Sequence, residues 1–275
     1  MKRMWMLAGI AGLVAGCGST SAPALKTYSY GNGALPTGPQ ESAAVSAENG
    51  FQGISTAGTN VSGAMNGPGL ADSVANAIDL GNSSGGLLRA PTVTLPAAVR
   101  AEPVAAAARA GMAGALRSPA LQASCAQVGD HSVTYSGCSY NSDSFNGTLN
   151  GTITVNGQTV TWDITYTISI SAQGVSGNGS FHFVGNLTVT ATTIVGTGRS
   201  EYVVHASGNG ESIEVGQTTG FDANLQYSSP QYCVTGGTLE VRRSTVVSGS
   251  QSGSFDGGVK FTWTGCGAFT VAVGT

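Results

Sequence analysis

Charge is what this chain has least of. Asp, Glu, Lys and Arg together make up 9% of its 275 residues, against about a quarter in an average soluble domain. The net charge is -3 and no Lys/Arg-rich run occurs, so there is nothing to track a phosphate backbone and nucleic acid is excluded as a partner class. Aromatic residues are also scarce, at 7%, so a core of any size has to be concentrated in part of the chain. No CxxC spacing is present and the three histidines, His131, His182 and His205, stand far apart, which leaves no metal-ligand pattern. No cofactor motif emerges either. GNSSG over 81–85 fits G-x-S-x-G with Ser83 in the nucleophile place, but a nucleophile elbow joins a buried strand to a helix, and this stretch follows a helical pattern inside a Gly/Ser tract. The carboxylates at Asp163, Glu201, Glu211, Glu214, Glu240 and Asp256 are spread along the chain, so spacing picks out no glycosidase-like pair. No catalytic residue is assigned.

What the chain does have is glycine, 42 residues of it, and a distinctive beginning. Lys2 and Arg3 precede an uncharged apolar run from Met4 to Ala15. At ~1.5 Å per residue that run is too short to cross a ~30 Å hydrocarbon core as a helix, and it has the length of a signal-peptide h-region. It ends in Leu13-Val14-Ala15-Gly16-Cys17. This stretch resembles the lipobox of bacterial lipoprotein precursors, an aliphatic residue and two small ones before a cysteine. The resemblance covers the N-terminus only. It implies that residues 1–16 are a cleaved signal peptide and that Cys17 carries a diacylglycerol thioether and a third acyl chain on its new amino group. Three chains, at about 0.8 kcal/mol per buried CH₂, hold a protein to a membrane almost permanently. Gly18 rather than Asp after the cysteine implies the outer membrane, facing periplasm or cell surface. The membrane is then the expected partner, with an apolar ligand or another envelope protein beside it.

Removing Cys17 from five cysteines leaves Cys125, Cys138, Cys233 and Cys266, an even set in a chain bound for an oxidising compartment. Three pairings are open. The short loop favours Cys125 with Cys138, which leaves Cys233 with Cys266, each worth about 3 kcal/mol.

Residues 17–67 are rich in Ser, Thr, Ala, Gly and Pro without sustained periodicity and read as a flexible tether. Residues 68–124 hold two short helical segments. In PGLADSVANAIDLGN the apolar Leu70, Val74, Ala77 and Ile78 fall at helical spacing between Pro68 and Gly81. In AEPVAAAARAGMAGALRS the alanines favour helix up to Pro119.

Beyond Cys125 the period changes to two. Phe145, Leu149, Ile153 and Val155 share one parity; after Asn156-Gly157 the apolar set is Val160, Trp162, Ile164, Tyr166, Ile168 and Ile170. Asn-Gly between alternating runs signals a two-residue hairpin. With those two residues as the loop, Ile153 faces Val160, Leu149 faces Ile164, Gly151 lies under Trp162 and Gly147 under Tyr166. Alternation returns in GSFHFVGNLTVTATT, EYVVHA, ESIEVGQT, GFDANLQY, GTLEVRR and GVKFTWTGCGAFTVAV. The expectation for 125–275 is a mainly β domain of about ten antiparallel strands, curved into a half-barrel, with a closed barrel or sandwich as alternatives. The upstream helices then lie in its apolar face.

That face is the expected ligand surface, with Trp162, Tyr166, Phe181, Phe183 and Arg243 on it. Arg243 is the anomaly, since alternation from Leu239 and Val241 aims it at the apolar side, where an unpaired charge is costly; a bulge that turns it outward is the expected remedy. The functional expectation is a lipid-anchored envelope protein with a non-enzymatic binding or structural module for lipid or another apolar ligand. In architecture this resembles the LolA/LolB type of lipoprotein carrier. A hydrolase of cell-wall or surface glycans is the competing reading.

Overall fold

Long alternating runs with turn residues between them become one antiparallel meander. The computed structural model describes residues 22–38, 40–42, 44–45, 125–141, 145–172, 175–208, 211–228, 233–249 and 252–274. The predicted helices over 68–124, Ser83 and Cys17 lie outside these. Among these described residues ten strands follow in order: β1 Gln127–Gly129, β2 Ser132–Asn141, β3 Phe145–Asn156, β4 Thr159–Ala172, β5 Val175–Val189, β6 Thr193–Gly208, β7 Glu211–Ser228, β8 Cys233–Gly249, β9 Gly253–Gly265 and β10 Ala268–Val273. They pair in sequence order in a single sheet. The sheet is curved but not closed, which decides against the barrel and the sandwich. Among the described residues no helix is long and apolar enough to cross a membrane.

Period-two alternation gives the sheet a core face and an outer face. On the core face Val133, Ile153, Trp162, Gly185, Gly198, Phe221, Val241 and Val259 stand opposite one another from β2 to β9. Leu149, Ile164, Tyr166, Leu239 and Phe261 on this side have no exposed surface. Each such side chain contributes roughly 1.5–3 kcal/mol by leaving water. Trp162 stacks on Phe183 with ring centres 5.3 Å apart.

The β3–β4 register differs from expectation by two residues. The loop is Gly157-Gln158, with Asn156 opposite Thr159 and Ile153 opposite Trp162. Gly157, at φ 60°, takes the first loop position, where a tight hairpin needs a positive φ. A shift of two preserves every side chain's face. Tyr166 does lie over Gly147, diagonally, while Trp162 covers Gly185 of β5 instead of Gly151. ESIEVGQT and GFDANLQY, read as separate runs, are two halves of the continuous β7.

Curvature has local causes. Register shifts fall between Tyr135 and Cys138, between Gln226 and Tyr227, and between Ala268 and Phe269. Bulges of this kind bend and twist a strand. Gly237, at φ 95°, sits beside the second. Both ends of the sheet carry a disulfide: Cys125–Cys138 joins the chain before β1 to β2, and Cys233–Cys266 joins the start of β8 to the β9–β10 turn.

Residues 22–37, part of the expected tether, are held against the sheet. They cross the outer face of β7, β8 and β9 and then run beside β10, where Ala34 and Val271 exchange hydrogen bonds of 2.9 and 3.0 Å. A helical turn follows within 38–45. Thr37 caps it, with its N–H donating to Gln40 Oε1 at 2.8 Å, and Ala44 joins the buried core.

Candidate functional site

On the core face the structure gathers the five predicted ligand-face residues. Trp162, Tyr166, Phe181 and Phe183 are at most 2% exposed, so they are enclosed rather than lining an open concavity. Arg243 is not turned out by a bulge. The β7–β8 ladder runs unshifted from Ala223–Leu239 through Phe221–Val241 to Thr219–Arg243, which keeps its side chain on the core face. A polar island accommodates it. Gln217 Oε1 accepts from Arg243 Nε at 2.8 Å, from Tyr202 Oη at 2.9 Å and from Thr245 Oγ1 at 3.2 Å. Its amide Nε2 donates to Thr219 Oγ1 at 3.2 Å. Hydrogen bonding of this density is what allows a cation to stay among apolar side chains. Arg243 stood out in the sequence; Gln217 did not, because its role depends on which residues β6 and β8 set beside it.

The outer face carries the carboxylates, and five of them lie beside a basic partner. His182 Nε2 is 2.8 Å from Asp163 Oδ1, and His205 Nδ1 is 2.6 Å from Glu214 Oε2. Arg199 pairs with Glu201, Arg242 Nε lies 3.3 Å from Glu240, and Lys26 pairs with Asp256. Glu211 lies at the first residue of β7. His131 is exposed in the β1–β2 turn. The histidines therefore go to separate places; Asp222 and Glu240 stand opposite one another on β7 and β8, and Glu240 has Arg242 beside it.

At the end of the outer face nearest the β6–β7 connection a groove of about 610 Å³ opens. A single cross-strand row supplies its floor: Ser169, Asn178, His205, Glu214 and Ser248 stand opposite one another on β4 to β8. Ser176, Ser207 and Ser212 form the next row, with Ser176 Oγ 3.1 Å from Ser207 Oγ. Glu214 is the one carboxylate among its described lining residues. The groove thus offers hydroxyls, an amide and an imidazole–carboxylate pair, a surface suited to hydrogen-bonding polar ligands. Sequence reading missed it, because serines at strand ends carry no signal until five strands place them in line.

Fold and site together define a disulfide-bearing, single-sheet β meander with an enclosed apolar face and a polar groove on the other. No family model matches the chain, and neither a curated protein nor a solved structure matches it.

Proposed function

We propose that the protein is a lipid-anchored component of the bacterial outer membrane whose β module acts by binding, through the outer-face groove, a hydroxyl-rich ligand of the glycan class. The observation that carries this reading is the contrast between the two faces. The aromatic residues of the core face are enclosed, whereas the groove holds hydroxyl, amide and imidazole–carboxylate groups in one row, with Ser169, Asn178 and His205 exposed and Glu214 half-buried among them. The lipobox ending in Cys17 supports the location, and two disulfides suit an oxidising compartment. The hydrolase reading needs two carboxylates across one cleft, and no observation favours it.

Titration calorimetry of purified protein with envelope glycans tests the groove. Wild type should bind, and Glu214→Gln should weaken binding about tenfold or more, the effect of losing a charge-assisted hydrogen bond. Equal affinity in both proteins would overturn this reading. For the anchor, Cys17→Ser should abolish incorporation of labelled palmitate in cells.

A further inference from the structure

Among the described residues the chain meets the sheet first at Pro23. Pro23 is held by its carbonyl, which accepts from the hydroxyl of Thr218, a residue with no exposed surface in the middle of β7. From there the strap stays bound. Leu25 lies over Gly220, Lys26 pairs with Asp256, and Tyr28 and Tyr30 lie over Gly258. Tyr30 Oη donates to Glu240 at 3.1 Å, and Lys260 Nζ stands 6.0 Å from the Tyr30 ring centre. The glycines at 220 and 258 leave the room these side chains fill; a Cβ at either would collide with them.

Six residue steps separate Cys17 from Pro23, and at ~3.3–3.6 Å per step they reach about 20 Å when fully extended. Thr218 stands seven residues from one end of β7 and ten from the other, roughly 23 and 33 Å at a ~3.3 Å rise. The β1 edge is six strands away, roughly 29 Å at ~4.8 Å per strand. The β10 edge is three strands away, roughly 14 Å at ~4.8 Å per strand, which leaves about 6 Å of leash at the rim, less than the ~10 Å depth of a packed sheet layer, and the strap already lies on that side. A leash of this length cannot pass around the sheet to its core side.

We infer, on the reading that Cys17 is acylated, that the outer face is turned toward the lipid headgroups of the leaflet holding those acyl chains, within about 20 Å of them. The partner of this face is the bilayer surface itself. The groove at His205 and Glu214 opens on the same face, four residues along β7 from Thr218, so its ligand enters from the membrane side. The segment expected to let the domain reach outward instead holds it close.

The test uses the full acylated protein in vesicles of phosphatidylethanolamine and phosphatidylglycerol, with a photo-crosslinking amino acid at one site at a time. Thr197 and Ser180 report from the exposed outer face; Val128, 56% exposed on the far edge strand, is the reference. Crosslinking to lipid should be strongly enriched at Thr197 and Ser180 over Val128. Inserting about twenty Gly/Ser residues between Gly18 and Ser19 should cut that enrichment roughly ninefold, since effective concentration falls with about the -3/2 power of leash length. Equal crosslinking at all sites in the unmodified chain, or enrichment that survives the insertion, would overturn the inference. Palmitate labelling of the same samples separates the two ideas: unlabelled protein refutes the anchor and takes the inference with it, whereas labelled protein without enrichment refutes the orientation alone.

Discussion

Lys26 and Asp256 lie 230 positions apart in sequence and meet as an ion pair on the outer face. Partial burial pulls the Asp256 carboxyl upward, but hydrogen bonds from Lys26 and Ser244 and the lysine charge outweigh it, and the group sits below its ordinary 3.8. The hydrogen bond and charge of Asp256 raise Lys26 above 10.5. A lowered carboxyl contributes stability above its unfolded value and loses it as pH falls through the folded one; a raised amine contributes below its unfolded value and loses it at alkaline pH. The pair therefore adds to the hold on the strap across the neutral range, and that part of the hold is lost in acid. In hydrogen exchange, residues 26–34 of wild type should lose protection as pH falls through the carboxylate range, and Asp256→Asn at neutral pH should reproduce the acid state. Strap protection unaffected by that substitution would show the pair to be incidental. Neither partner was legible as half of a pair, because their meeting depends on the strap's path. Arg243 was legible as an anomaly, since parity alone put it on the wrong face, but only the register of β7 and β8 reveals Gln217 as its partner.

The strands read from periodicity survive with their faces intact even where register or length differs, because an error of two residues moves no side chain through the sheet. The Asn156-Gly157 signal located the hairpin and misjudged its loop by one residue at each strand end. The strap had no such signal. It lies on a surface instead of inside a repeating ladder, and it reaches the sheet through scattered residues such as Leu25 and Tyr30. Its second function is to cover an edge. Unpaired N–H and C=O groups on an edge strand invite pairing with another chain, and residues 30–34 occupy part of β10. Ala34→Pro removes the N–H that donates to Val271 at 2.9 Å, at a cost of about 1 kcal/mol for the bond. The variant should self-associate with rising concentration in sedimentation velocity, while Ala34→Ser, which keeps the N–H, stays as wild type. A monodisperse proline variant would mean that the edge is protected by other means.

Whether ten strands close into a barrel is decided by the curvature summed over bulges and glycine kinks, so alternation could specify the strands and leave closure undetermined. In the open sheet each strand pairs only with its sequence neighbours, and loss of order is expected to begin at the two ends, where a strand has one partner. The disulfides sit at those ends, Cys125–Cys138 at β1–β2 and Cys233–Cys266 at β8–β10. With sequence separations of 13 and 33, loop closure assigns them about 3 and about 4 kcal/mol, a large part of the roughly 5–15 kcal/mol that stabilises a typical domain. Their position predicts more than their magnitude. Replacing Cys125 and Cys138 by alanine should raise hydrogen exchange in β1–β3 before it affects β4–β7, and replacing Cys233 and Cys266 should do the same for β8–β10. The fully reduced chain should lose protection from both ends inward. Uniform loss across all ten strands after removal of either bond would instead show that the meander unfolds as a single cooperative unit, with the disulfides acting on the unfolded chain alone.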